Sequence, residues 1–187
     1  MIARELRTVP NLLTAARALL LPVLWLEALR GERTLVGVGL AACFWLDFGD
    51  GFLARRLGQT SAFGSKFDSI VDGFVAPSAI AWLLVLEPSV ILDHLLLAVT
   101  WFAITYASLA VGLIKFRRFA NLHLQTSRIA CVFQYGFLVD AFVAPPAVTG
   151  LLYAAAGLGI VSSLETLVIQ LSRDRVHERM RSIVAAR

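Results

Sequence analysis

Six mostly apolar stretches follow one another along the chain: Leu12–Leu29, Thr34–Leu57, Phe67–Leu86, Val90–Ile114, Ser127–Val143 and Val148–Leu171. No other feature limits the fold as much. Each stretch is close to the roughly 20 residues that a helix needs to cross the hydrocarbon of a bilayer. A spanning segment must also satisfy its backbone hydrogen bonds internally, which a helix does and an open strand does not. Turn or charge signals mark most of the breaks: Arg30-Gly31-Glu32-Arg33, Glu87-Pro88-Ser89, Lys115 to Arg118, and Pro145-Pro146. Composition agrees, with 58% hydrophobic and only 16% charged residues, where a soluble domain carries about 25% charge. The expected fold is all-α, an integral-membrane bundle of six transmembrane helices. The chain reads as one domain over residues 1–187, with residues 173–187 as a basic cytoplasmic tail.

The cations give this bundle a direction. With the N-terminus in the cytoplasm, Arg4, Arg7, Arg55, Arg56, Lys66, Lys115, Arg117, Arg118, Arg128 and the tail arginines all fall inside. Only Arg30 and Arg33 fall outside. That asymmetry follows the positive-inside rule and puts both termini in the cytoplasm. The net charge of +4 is then explained by topology and anionic headgroups, and no nucleic-acid partner is expected. The first apolar run is interrupted by Arg17 and lacks a clear cleavage site, so no cleavable signal is expected. Cys43 and Cys131 stand in apolar runs and read as small core residues.

Against this background the stretch LDFGDGFLARRLGQTSAFGSKFDSIVDG, Leu46 to Gly73, is anomalous. It holds Asp47, Asp50, Asp68 and Asp72 in a chain otherwise suited to lipid. Asp47, Asp50, Gly51 and Ala54 share a face of one helix, and Asp68 and Asp72 share a face of the next. Two neighbouring helices can point all four carboxylates into one cleft, where protonation or cations must relieve their repulsion. Oxygen-only ligands suit Mg²⁺ or Mn²⁺. Gly51, Ala54 and Gly64 clear room beside the carboxylates for a flat ligand, and Arg55 adds a cation for a phosphate. Taken singly, the small residues serve close helix packing equally well.

Taken together, these residues read D-x2-D-G-x2-A-R-x8-G-x3-D-x3-D. The pattern resembles the signature of the CDP-alcohol phosphatidyltransferase family at all eight positions. A chance match in this chain is on the order of one in ten million. Pro10-Asn11-Leu12-Leu13-Thr14-Ala15-Ala16-Arg17 is similar to the P-N-x-L-T-x-x-R run that opens the first helix of many members. The alternative for that run is a Thr or Asn cap followed by an arginine snorkelling to the interface.

The resemblance implies transfer of the phosphatidyl group of CDP-diacylglycerol, or a related CDP-linked donor, to a hydroxyl, with release of CMP. It makes Asp47, Asp50, Asp68 and Asp72 the ligands of two Mg²⁺ or Mn²⁺ ions. Asp72 is also implied as general base on the acceptor. Gly51, Ala54, Arg55 and Gly64 correspond to the CDP-donor site. Asn11, Arg17 and Arg128 are candidates for contacts to donor or acceptor phosphate. A homodimer with its active site facing the cytoplasm is expected, in the cell (inner) membrane if the protein is bacterial.

The acceptor is a small polar alcohol. Glycerol-phosphate enzymes often continue D-P-x-A-D-K, whereas this chain reads Asp68-Ser69-Ile70-Val71-Asp72-Gly73. The Asp-Ser start resembles inositol-phosphate, serine and choline-type members. Synthesis of phosphatidylglycerophosphate, phosphatidylinositol phosphate or phosphatidylserine are the specific alternatives. A transporter would spread its acids along a pathway in repeated halves, while here four cluster at one end and no repeat is visible. A non-catalytic scaffold would not need four intact aspartates. Asp140 and Glu165 lie inside apolar stretches, outside the signature, and call for partners.

Overall fold

The structure is a computed structural model that describes residues 8–59, 61–116 and 124–172. Arg4, Arg7, Arg117, Arg118 and the basic tail 173–187 lie outside the described residues. The described residues form helices and no strand: α1 Val9–Leu29, α2 Arg33–Arg56, α3 Ala62–Leu86, α4 Pro88–Leu92, α5 Leu95–Phe116, α6 Gln125–Val143 and α7 Thr149–Ser172. The all-helical expectation therefore holds.

Five segments are long and apolar enough to cross a membrane: Val9–Leu29, Arg33–Arg56, Phe63–Leu86, Leu95–Lys115 and Thr149–Ser172. The remaining expected span, Ser127–Val143, is present as α6. It carries Thr126, Ser127, Arg128, Gln134 and Asp140, and is too polar to be counted with the five. The expected span Val90–Ile114 is broken at Asp93-His94 into the short α4 and the long α5.

Two helix starts differ from the apolar pattern, each for a local reason. Helix α1 begins at Val9, with Pro10 in its first turn. Proline lacks an N–H that would be orphaned there anyway, and its φ is already helical. Asn11 and Thr14 therefore lie inside the helix and do not cap it. Helix α3 begins at Ala62 because Ser61 caps it, its hydroxyl accepting a 2.9 Å bond from the Gly64 N–H. That cap draws Gly64 and Lys66 into the helix.

The chain divides into two compact units. The first contains α1, α2, α3 and the segment Leu138–Pro146. Its core joins Leu21, Leu24 and Ala28 of α1 with Val36, Leu40 and Cys43 of α2 and Val71, Val75, Ala79 and Trp82 of α3. Helix α1 packs against both α2 and α3. Gly39 lets α2 close on α1: a Cβ there would lie 2.2 Å from Cδ2 of Leu24. Trp82 is fully buried, and its ring meets Trp25 edge-on at 5.8 Å.

The second unit contains α4, α5, α6 as far as Phe137, and α7. Helix α5 packs against α7. Hydroxyl pairs tie its helices, with Thr105 to Ser163 and Ser162 to Ser127 both at 3.0 Å. Glu165 accepts a hydrogen bond from Thr126, so this intramembrane acid has a partner on a neighbouring helix. Both cysteines are free, Cys43 buried and Cys131 half-buried.

Candidate active site

The site is built by the three helices of the first unit. Helix α1 buries Pro10, Asn11, Thr14, Arg17, Leu21, Leu24 and Ala28. Their spacing of three and four makes one continuous stripe. Its C-terminal half is apolar and belongs to the core. Its N-terminal half is polar, and each polar member meets a group from α2 or α3.

Asn11 lies against the start of α3, where a Cβ on Gly64 would stand 2.7 Å from Asn11 Oδ1. A side chain at position 64 would require Asn11 to shift. Thr14 Oγ1 donates to Asp50 Oδ2 at 2.8 Å. Arg17 reaches three carboxylates. Its Nη1 donates to Asp47 Oδ1, and its Nη2 donates to Asp68 Oδ1 at 2.8 Å and to Asp72 Oδ1 at 2.7 Å. The Arg17 side chain is 1% exposed, so it does not snorkel. Its Nε–H is buried with no acceptor among the described residues.

Burial grades the four acids. Asp50 is buried at 5% exposure, held towards α1 by Thr14. Asp47 and Asp68 are partly open, and the Asp72 side chain is 51% exposed. The open side of the cluster thus lies at Asp72. Helical spacing explains the convergence: Asp47 and Asp50 are three apart on α2, and Asp68 and Asp72 four apart on α3.

Among the donor-site candidates, Arg55 folds back so that a Cβ on Gly51 would lie 3.4 Å from its Nη1. Arg55 itself is exposed and Ala54 is half-buried. Arg128 belongs to the second unit, exposed on α6.

Two features escaped the sequence reading: the Thr14–Asp50 hydrogen bond, and a buried Arg17 bonded to aspartates. The 11-14-17 spacing inside an otherwise apolar stripe was the available signal. It could show that three polar groups share a buried face, but not which groups they meet.

A divalent cation fits these donors. One oxygen from each of Asp47, Asp50 and Asp68 lies within 4.8 Å of the others. Ligands on opposite sides of Mg²⁺ stand about 4.2 Å apart, so small side-chain rotations would close the trio on an ion. With all five groups ionised, the four carboxylates face one guanidinium, and three negative charges stay uncompensated. Such an excess invites further cations.

No curated protein and no solved structure shows a detectable match to the chain. A family model does: CDP-alcohol phosphatidyltransferase, over residues 7–173. That match covers most of the chain, spanning the apolar helices and all four aspartates, and the protein belongs to the CDP-alcohol phosphatidyltransferase family, integral-membrane transferases of phospholipid biosynthesis.

Proposed function

We propose that the protein transfers the phosphatidyl group of CDP-diacylglycerol, or a related CDP-linked donor, to the hydroxyl of a small polar alcohol. The observation that carries this reading is the convergence of Asp47, Asp50 and Asp68 within 4.8 Å of one another, at residues that complete the family signature. Divalent ions held there would neutralise the donor's diphosphate and stabilise the departing CMP.

The residues of the chain divide the remaining work. Asp47, Asp50, Asp68 and Asp72 would hold two ions, Mg²⁺ or Mn²⁺. Asp72, the most open of the carboxylates, takes the proton of the acceptor hydroxyl as its oxygen attacks phosphorus. The bond from that phosphorus to the oxygen of CMP breaks, and CMP leaves with the electron pair. Gly51, Ala54, Arg55 and Gly64 bind the CDP moiety, with the Arg55 guanidinium close above Gly51 suited to a phosphate. Asn11, Arg17 and Arg128 contact donor or acceptor phosphates. The lipid tails of the donor stay in the bilayer while its head enters the cleft. The chain works as one catalytic domain within a homodimer, with the cleft on the cytoplasmic side of the cell membrane. Synthesis of phosphatidylinositol phosphate, phosphatidylserine or phosphatidylglycerophosphate are the specific activities to separate.

Purified protein with CDP-diacylglycerol, Mg²⁺ or Mn²⁺ and a panel of acceptors tests this, with CMP as the readout. CMP should appear with one acceptor class, vanish in excess EDTA, and return with Mg²⁺ or Mn²⁺. Full turnover in EDTA would remove the metal part of the proposal.

A further inference from the structure

Arg17 bonds carboxylates that a metal ion would need. Its guanidinium bonds Asp47 and Asp68, two of the three residues whose oxygens group for an ion. Each carboxylate has a second oxygen, but a divalent ion there would stand within a few ångströms of the buried guanidinium. At that range, away from bulk water, two cations repel strongly. Two divalent ions would also neutralise the four carboxylates by themselves and leave Arg17 a buried charge with no counterion, which is costly.

Any movement of the arginine would fall to its side chain, which is 1% exposed where it stands. Its backbone is fixed by the stripe that continues into Leu21, Leu24 and Ala28 in the core. The side chain alone has the torsional freedom to swing. Its present site is also incomplete, since the Nε–H is buried without an acceptor among the described residues. A guanidinium fully committed to a structural role would be expected to satisfy its donors.

We infer that Arg17 is a resident cation of the aspartate cluster that divalent metal displaces. It holds α2 and α3 together around the carboxylates, and it leaves Asp47, Asp68 and Asp72 when metal enters. Arg17 thus positions the aspartates until metal loads, and its release frees it for the phosphate contact proposed above. The inference rests on the metal-dependent reading above.

The test uses the full chain in detergent and follows Mn²⁺ binding by electron paramagnetic resonance, without substrate. Arg17→Gln removes the competing charge, and Mn²⁺ should bind about tenfold more tightly, the equivalent of roughly one charge-assisted hydrogen bond not regained elsewhere. Arg17→Lys keeps a charge that cannot bridge three carboxylates, and its affinity should fall between the two. Mn²⁺ affinity that is unchanged or lower in Arg17→Gln overturns displacement and leaves the metal site standing. No Mn²⁺ binding to the wild type removes both this inference and the metal site.

A second measurement needs no variant, in case Arg17→Gln does not fold. In ¹⁵N-arginine-labelled wild type, the Arg17 guanidinium should show hindered rotation in the metal-free state. That hindrance should be lost on adding Mg²⁺. Hindrance that persists at saturating Mg²⁺ overturns the inference.

Discussion

The two units put polar groups into apolar helices for different ends. In the second unit they are mostly neutral and paired: Thr105 with Ser163, and Ser127 with Ser162. Lys115 donates to the carbonyls of Gln170 and Leu171 at 2.9 and 3.3 Å, carbonyls near the C-terminal end of α7. These contacts hold helices together. In the first unit the aspartate cluster is charged, and its signs do not balance. Three carboxylates bond one arginine, the fourth, Asp50, is held by Thr14, and Asp72 keeps half its side-chain surface open. A polar cluster that is satisfied within itself serves packing. One that keeps an excess of a single sign and an open side is suited to a ligand.

The largest test of this contrast is Asp72→Asn. The change keeps size and hydrogen bonding but removes the base. CMP release should fall by about 10²–10⁴-fold, with CDP-diacylglycerol binding largely kept. Asp50→Asn should instead weaken metal and donor binding together, because it removes a buried ligand charge. A metal titration and a donor-binding assay on both variants separate the roles. If Asp72→Asn loses the donor as badly as Asp50→Asn, the base must be sought elsewhere.

A smaller effect is expected at Thr14→Val. The substitution keeps the shape and deletes the 2.8 Å hydrogen bond to Asp50. Thermal unfolding should register a loss of about 1.5–3 kcal/mol, the range for a hydrogen bond to a charged group. A loss below that range would mean that Asp50 is held by something other than α1.

The smallest effect belongs to the second unit. Thr105→Val removes a partner of Ser163, and interhelical hydrogen bonds of this kind contribute about 0.6 kcal/mol on average. CMP release should stay at the wild-type level. A large loss of activity from Thr105→Val would break the comparison, because a packing contact would then be acting on the site.

The sequence by itself determined the helices and the class of chemistry. Apolar runs near 20 residues leave the backbone no option but helix in lipid. The spacings 47-50 and 68-72 put carboxylates on shared faces by helix geometry alone. Boundaries were less legible where capping outweighed hydropathy, as at Ser61 and Pro10. The polarity of α6 weakened its count as a span, and the Asp93-His94 break was hidden inside an apolar run. Only the tertiary structure decided what those faces meet. Thr14 and Arg17 are 30 to 55 residues from the aspartates they bond, and no local pattern encodes such a pairing. Packing α1 against α2 and α3, with Gly39 and Gly64 permitting the close approach, turned an arginine that could have reached for the interface into the buried counterion of the site. The physical reason is that helix faces follow from residue spacing alone. Partners at long range follow from which faces pack together.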